Sequence, residues 1–270
     1  VADPVVDVGG LVKRYDEVCA VDDVDLDVAA GEIVGLVGPN GAGKTTLLSV
    51  LCGILEPTAG RVRIAGHALD EDDGVPLRRQ VAFVPDTPHL FESLTVVEHL
   101  TFVAELYGAR ARAAASMDGL LREFELADKR DELTANLSRG MRQKVAICCA
   151  FVHEPRALLL DEPLTGLDPL GRRRMIEAIR RRADEGAAVL VSSHQLEIVE
   201  RLSDRFVILQ RGRVRLDGTL DEIRRAAASD GLSLEDVFLH ATDVTSERDA
   251  PRAGGDREAG PDGTRPGDAA

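Results

Sequence analysis

The chain has 270 residues, 44% of them hydrophobic, and a formal net charge of −14, which allows one large domain or two small ones with a real core. The acidity disfavours phosphate backbones as partners, and with no tryptophan and few other aromatics there is little to stack on single-stranded bases, so no nucleic acid is expected. No apolar run approaches the roughly 18 residues of a membrane span, and Asp3 and Asp7 interrupt any secretory-type stretch at the start.

Within residues 1–30 the patterns at Val5–Val8 and Val24–Val28 predict short alternating strands. Ile33–Val37 is continuously apolar, as a buried strand would be. Gly38-Pro39-Asn40-Gly41-Ala42-Gly43-Lys44-Thr45 follows and fits G-x-x-x-x-G-K-[ST], the phosphate-binding loop. It stands between a strand and a helix predicted from near Gly43 to Gly53, which is the context the motif requires. Its glycines let backbone N–H groups wrap phosphates, and the helix N-terminus adds a favourable dipole. Residues 38–46, ending with Thr46, are the expected phosphate cradle. Lys44 would reach the β- and γ-phosphates and Thr45 would ligate Mg2+. Further strands are predicted at Arg61–Ala65 and Gln80–Pro85.

The stretch from about 86 to 155 reads as mostly helical. Thr95 with Glu98 makes a capping box, and Ser138 caps a helix running toward His153. Cys148 and Cys149 sit in that helix's apolar run and read as small core residues. The four cysteines form no C-x-x-C pair, which argues against zinc and for a reducing compartment. Strand and helix then alternate, which predicts a mostly parallel α/β sheet. Ala157–Leu160 is a strand ending in Asp161-Glu162, a carboxylate pair at the sheet edge where such folds bind ligands. Asp161 would hold Mg2+ and Glu162 would polarise the attacking water. Asp168-Pro169 opens a helix that stops at Gly186, Ala188–Ser192 is a strand, and Phe206–Leu209 leads into a hairpin at Arg211-Gly212. From about Asp243 the Gly, Pro, Asp, Arg and Ala content predicts a disordered tail, 243–270. There is no internal repeat. Taken singly, a strand ending in Asp-Glu, a capping serine, a lone Tyr15 or a lone His194 each has an ordinary structural explanation.

Leu137-Ser138-Arg139-Gly140-Met141 resembles the signature segment of ABC ATPases, usually written LSGGQ, and the remaining motifs fall in that family's order over about residues 5–240. The resemblance implies a P-loop NTPase with a RecA-like core sheet, an N-terminal antiparallel β subdomain and an inserted α-helical subdomain. These would fill residues 1–242, with a C-terminal hairpin and helical extension at about 205–242. It implies that Tyr15 stacks on adenine, that Ser138 and Gly140 contact nucleotide, that Gly166-Leu167-Asp168 links two sites, and that His194 touches the γ-phosphate. Asp86 stands where the family usually has a Gln that contacts Mg2+, a feature that resembles an exporter branch, as does the ending Ser233–Leu239. It implies a second ATP-binding subunit, identical or not, and separate transmembrane permease subunits at the cytoplasmic face of the cell membrane. The permease contact is expected near Asp86–Val97, through Leu90, Phe91 and Leu94. A soluble, non-transport ABC ATPase is the alternative. A kinase would leave Ser138-Arg139-Gly140 and His194 unexplained.

Overall fold

The computed structural model describes residues 3–226 and 233–238. It opens with two long antiparallel strands, β1 (Val6–Tyr15) and β2 (Val18–Val28), where the sequence pattern predicts short ones. Register shifts explain the difference. The pairing slips between Val8 and Leu11, and Asp23 turns left-handed (φ 55°), so the period-two alternation is broken while the ladder continues. The Gly10 N–H at one of these slips donates to Asp25 Oδ1 at 2.8 Å. With β4 (Ala59–Ile64) and the short β5 (His67–Ala68), these strands form a sheet ordered β2-β1-β4-β5.

The second sheet carries the chemistry. Its strands are β3 (Ile33–Val37), β6 (Val81–Val84), β7 (Ala157–Asp161), β8 (Ala188–Ser192), β9 (Arg205–Gln210) and β10 (Arg213–Gly218). They lie in the order β10-β9-β3-β8-β7-β6, parallel except for the hairpin strand β10. Both faces are covered, which is why these strands read as unbroken apolar runs. On one face β1, β2 and the helix α1 (Lys44–Leu51) pack on Val34, Leu36, Leu159 and Leu190. On the other, Ile33, Leu158, Leu160 and Val191 meet α3 (Val96–Leu106), α4 (Arg110–Glu123), α5 (Arg139–Phe151) and α6 (Pro169–Asp184). A one-turn α2 (Val75–Arg78) precedes β6, and α7 (Leu196–Leu202) follows β8.

Local signals in the sequence account for the helix ends. Thr95 accepts from Glu98 N–H at 3.3 Å while the Glu98 carboxylate accepts from Thr95 N–H at 2.9 Å, a complete capping box for α3. Asp168 Oδ1 accepts from Gly171 N–H at 2.6 Å, with Pro169 opening α6. Of the adjacent cysteines, Cys148 is fully buried and Cys149 only partly, since neighbours on a helix point about 100° apart. The hairpin turns through Arg211 and Gly212, both at positive φ, and leads to α8 (Leu220–Ala226). Ile223 of α8, with Leu234 and Val237, packs on Phe206 and Ile208 of β9. The tail expected from Asp243 onward lies outside the described residues. No described helix is long and apolar enough to cross a membrane.

His153, just past α5, stacks on Tyr107 with ring centroids 3.8 Å apart, and neither ring nitrogen has a hydrogen-bond partner. Burial pushes its pKa down to about 4, only partly offset by the backbones of Cys149 and Val81. Between that value and the free-histidine value of 6.5 the unfolded chain binds the proton and the folded chain does not. Stability therefore falls as pH drops through this window, by about 2 kcal/mol from pH 7 to pH 5 through this group. Denaturant unfolding of wild type and His153→Phe at the two pH values checks this. The variant should lose about 2 kcal/mol less on acidification, and equal losses would mean that His153 does not titrate with unfolding.

Candidate functional site

The parallel sheet brings four loops to one edge. In spatial order they follow β3, β8, β7 and β6, and they carry the glycine-rich loop, Ser193-His194, Glu162 and Asp86. Alternation along β7 sets the direction of its last residue. Leu158 and Leu160 face the helical side and Ala157 and Leu159 face the α1 side, so Asp161 also faces α1. There Thr45 Oγ1 donates to Asp161 Oδ2 at 2.6 Å, and the Ser192 hydroxyl donates to the other oxygen. The parallel register places Ser192 beside Asp161, and both are buried.

The glycine-rich loop is held by close backbone contact. Gly43 sits at φ 105°, and a Cβ there would lie 2.2 Å from the Ala20 carbonyl oxygen of β2. No other residue fits without moving the loop from the N-terminal sheet. Lys44 Nζ donates to the carbonyls of Gly38 at 2.6 Å and Pro39 at 3.1 Å, closing the loop over itself. Burial lowers the Lys44 pKa, and the charges of Glu162 and Asp161 work against that shift. A cavity of about 420 Å³ opens here, lined by Ala20, Asn40 through Thr46, Asp86, Asp161 and Glu162. A hollow of similar size near Arg156 and Arg182 has none of these residues in its lining.

Glu162 is held by both its backbone and its carboxylate. Its backbone is left-handed (φ 53°), a conformation that costs about 1–2 kcal/mol for a residue with a Cβ, and its N–H is tied to Ser192 O at 3.0 Å. The carboxylate accepts from Ser193 Oγ at 3.0 Å and from His194 N–H at 2.7 Å, and His194 Nδ1 lies 2.8 Å from Oε2. A carboxylate only accepts, so Nδ1 carries the proton in this contact.

The signature segment lies elsewhere. Ser138 caps α5, accepting from Met141 N–H at 3.3 Å, and is exposed; neither it nor Gly140 lines the cavity. A Cβ on Gly140 would lie 2.7 Å from the carbonyl oxygen of Gly166, so the first turn of α5 rests on the loop after β7. Buried Gln143 reinforces this by donating to Pro163 O at 3.4 Å. Asp168 spends its carboxylate on the α6 cap. Tyr15 ends β1, 42% exposed, with Lys13 Nζ 5.1 Å from its ring centre and outside the cavity lining.

The structure thus brings residues 40–46, Asp86, Asp161 and Glu162 into one lining and sets His194 against Glu162, while Gly38, Pro39, Tyr15, Ser138, Gly140 and Asp168 lie outside that lining. Sequence reasoning passed over Ala20, Ser192, Ser193 and Gln143. The strand after Asp161-Glu162 ending in Ser192-Ser193 was the available signal for two of them. Two carboxylates and a hydroxyl, all oxygen donors, suit Mg2+, which takes few protein ligands and fills its shell with water and phosphate oxygens.

The model of the family described as ABC transporter matches residues 21–165. The ABC-type transporter ATP-binding protein EcsA of Bacillus subtilis is 38% identical over 221 residues, 81% of this chain and 89% of that protein. The daunorubicin/doxorubicin resistance ATP-binding protein DrrA of Streptomyces peucetius is 37% identical over 252 residues, 92% of this chain and 73% of that protein. A solved ATP-binding subunit of an ABC transporter superposes with a TM-score of 0.85 at 40% identity, covering 88% of this chain and 99% of that one. The fold, the family and the matched relatives agree that this chain belongs to the ABC transporter family, as one of its ATP-binding, ATP-hydrolysing subunits.

Proposed function

We propose that the chain is the cytoplasmic-face motor of a membrane exporter, and that two ATP-binding subunits close head to tail around two ATP molecules. One observation supports the pairing: Ser138 is exposed, and neither it nor Gly140 lines the chain's own phosphate cavity, so one chain would offer two half-sites. In the closed pair Lys44 of one subunit and Ser138 of the other would sandwich each nucleotide, so the γ-phosphate favours the closed state and its loss releases it.

Within each site the loop N–H groups and Lys44 take the phosphate charge, and Thr45 and Asp161, with Asp86 at the rim, would hold Mg2+. Held there, Mg2+ would supply positive charge to offset that of the phosphates. Glu162 orients water for in-line attack and accepts its proton, so ATP and water become ADP and phosphate. Ser193 and His194 hold the Glu162 carboxylate, and the second ring nitrogen of His194 would meet the γ-phosphate. Tyr15, at the exposed end of β1, would stack on adenine.

The permease surface shifts somewhat from the sequence expectation. Leu90 packs against the helical core and Leu94 is half-buried. Phe91 is exposed and meets Phe102 edge to face at 5.4 Å, with exposed Leu106 one turn further along α3. This patch suits a short amphipathic helix of a membrane subunit. Export is favoured by relatives named for drug resistance and for Nod factor export. Affinity capture of tagged Glu162→Gln from detergent-solubilised native membranes with MgATP tests the reading. Recovery of a multi-spanning protein without its own ATPase domain is the expected result. Recovery of soluble partners alone, with the chain absent from membranes, would replace it with a non-transport role.

A further inference from the structure

Asp86 and Arg139 stand out together. One replaces a neutral amide and the other replaces a glycine in the patterns this chain resembles, and the structure sets them 3.6 Å apart, Arg139 Nη2 to Asp86 Oδ1. They come from different parts of the fold. Asp86 follows β6 and lines the phosphate cavity, while Arg139 opens α5 beside Ser138. The Arg139 stem crosses Gly166, where a Cβ would meet its Cγ and Cδ at 3.5 Å. The guanidinium therefore spans from the loop after β7 to the loop after β6.

Charge gives the pair its meaning. Asp161 and Glu162 already line the cavity, with Lys44 as the cation there. A third carboxylate at the rim repels a polyphosphate unless something neutralises and holds it. Both side chains are about half exposed, so the pair adds little to stability; its effect is on the ligand. We propose that Arg139 is a positioning residue that neutralises Asp86 and keeps its carboxylate at the rim, so that the pair presents ATP and Mg2+ with the net charge of an uncharged side chain. Asp86 then remains within reach of a hydrated cation without adding a charge that opposes the nucleotide. The pair also ties the metal end of one half-site to the signature turn of the other. This rests on the reading that ATP phosphates occupy the cavity at Lys44.

The test is equilibrium binding of a fluorescent ATP analogue to the full chain, once in EDTA and once in excess Mg2+. R139G frees Asp86, so it should weaken metal-free nucleotide about tenfold and the Mg2+ complex about threefold, because repulsion scales with ligand charges of about −4 and about −2. The same substitution made on D86Q should cost less than about threefold in EDTA, since no carboxylate is released there, and D86Q/R139G should regain most of the affinity lost in R139G. An R139G effect of the same size whether or not D86Q is also present, or of the same size with and without Mg2+, overturns the proposal. Lys44→Ala in the same assay separates the two claims. If it loses binding while R139G shows no coupling to Asp86, only the role of Arg139 fails. If it binds normally, the placement of the phosphates fails first.

Discussion

Glu162→Gln is expected to lower ATP turnover by about 10²–10³-fold while leaving ATP affinity within about threefold of wild type. Gln keeps the size and the left-handed backbone of Glu162, whose N–H remains tied to Ser192 O. It keeps one acceptor oxygen for the donors from Ser193 and His194, so the loop after β8 stays near its place. What it loses is the capacity to take a proton from water, which acts only in the chemical step. The substituted group lies at the cavity wall and is not one of the donors that face phosphate, so the ground-state complex should form normally. Phosphate release under saturating MgATP, alongside a binding titration, measures both quantities. Turnover within tenfold of wild type would mean that another group accepts the proton.

Lys44→Ala should instead act on binding, weakening ATP by at least about 30-fold, the equivalent of about 2 kcal/mol for a lost charge-assisted contact. The variant should still fold. Lys44 contributes two hydrogen bonds to its own loop, and its ammonium is held partly buried against its preference. The unliganded melting temperature is therefore expected to stay near that of wild type. The stabilisation by ATP, about 2.7 kcal/mol when ligand reaches a hundred times the wild-type Kd, should fall to about 0.9 kcal/mol or less at the same concentration. Melting with and without MgATP reads both effects in one experiment. A wild-type shift would show that another loop holds the phosphates.

The sequence disclosed the parallel sheet and the phosphate loop because local rules decide them. Ile33–Val37, Ala157–Asp161 and Ala188–Ser192 are buried on both faces, so apolar runs of strand length mark them directly. Gly43 is demanded by φ and by the Ala20 carbonyl, and the caps at Thr95, Ser138 and Asp168 are short-range hydrogen bonds readable from spacing. The N-terminal strands were less legible because bulges at Gly9–Gly10 and near Asp23 break the alternation that defines a strand in sequence. The contacts made by Ser192, Ser193 and Gln143 depend on strand order and on the seating of α5 on the loop after β7, neither of which has a local signature. The Asp86–Arg139 pair joins residues 53 positions apart through two loops. Each was visible as a departure from the family pattern, but only the fold shows that the two side chains lie 3.6 Å apart.

Whether two half-sites pair is read from the molar mass of Glu162→Gln by light scattering, with and without MgATP. Glu162→Gln should be a monomer without nucleotide and a stable dimer with MgATP, reverting when the nucleotide is removed. A monomer at saturating MgATP, with nucleotide bound to every chain, would contradict the sandwich and leave Ser138 and Gly140 without the role assigned to them.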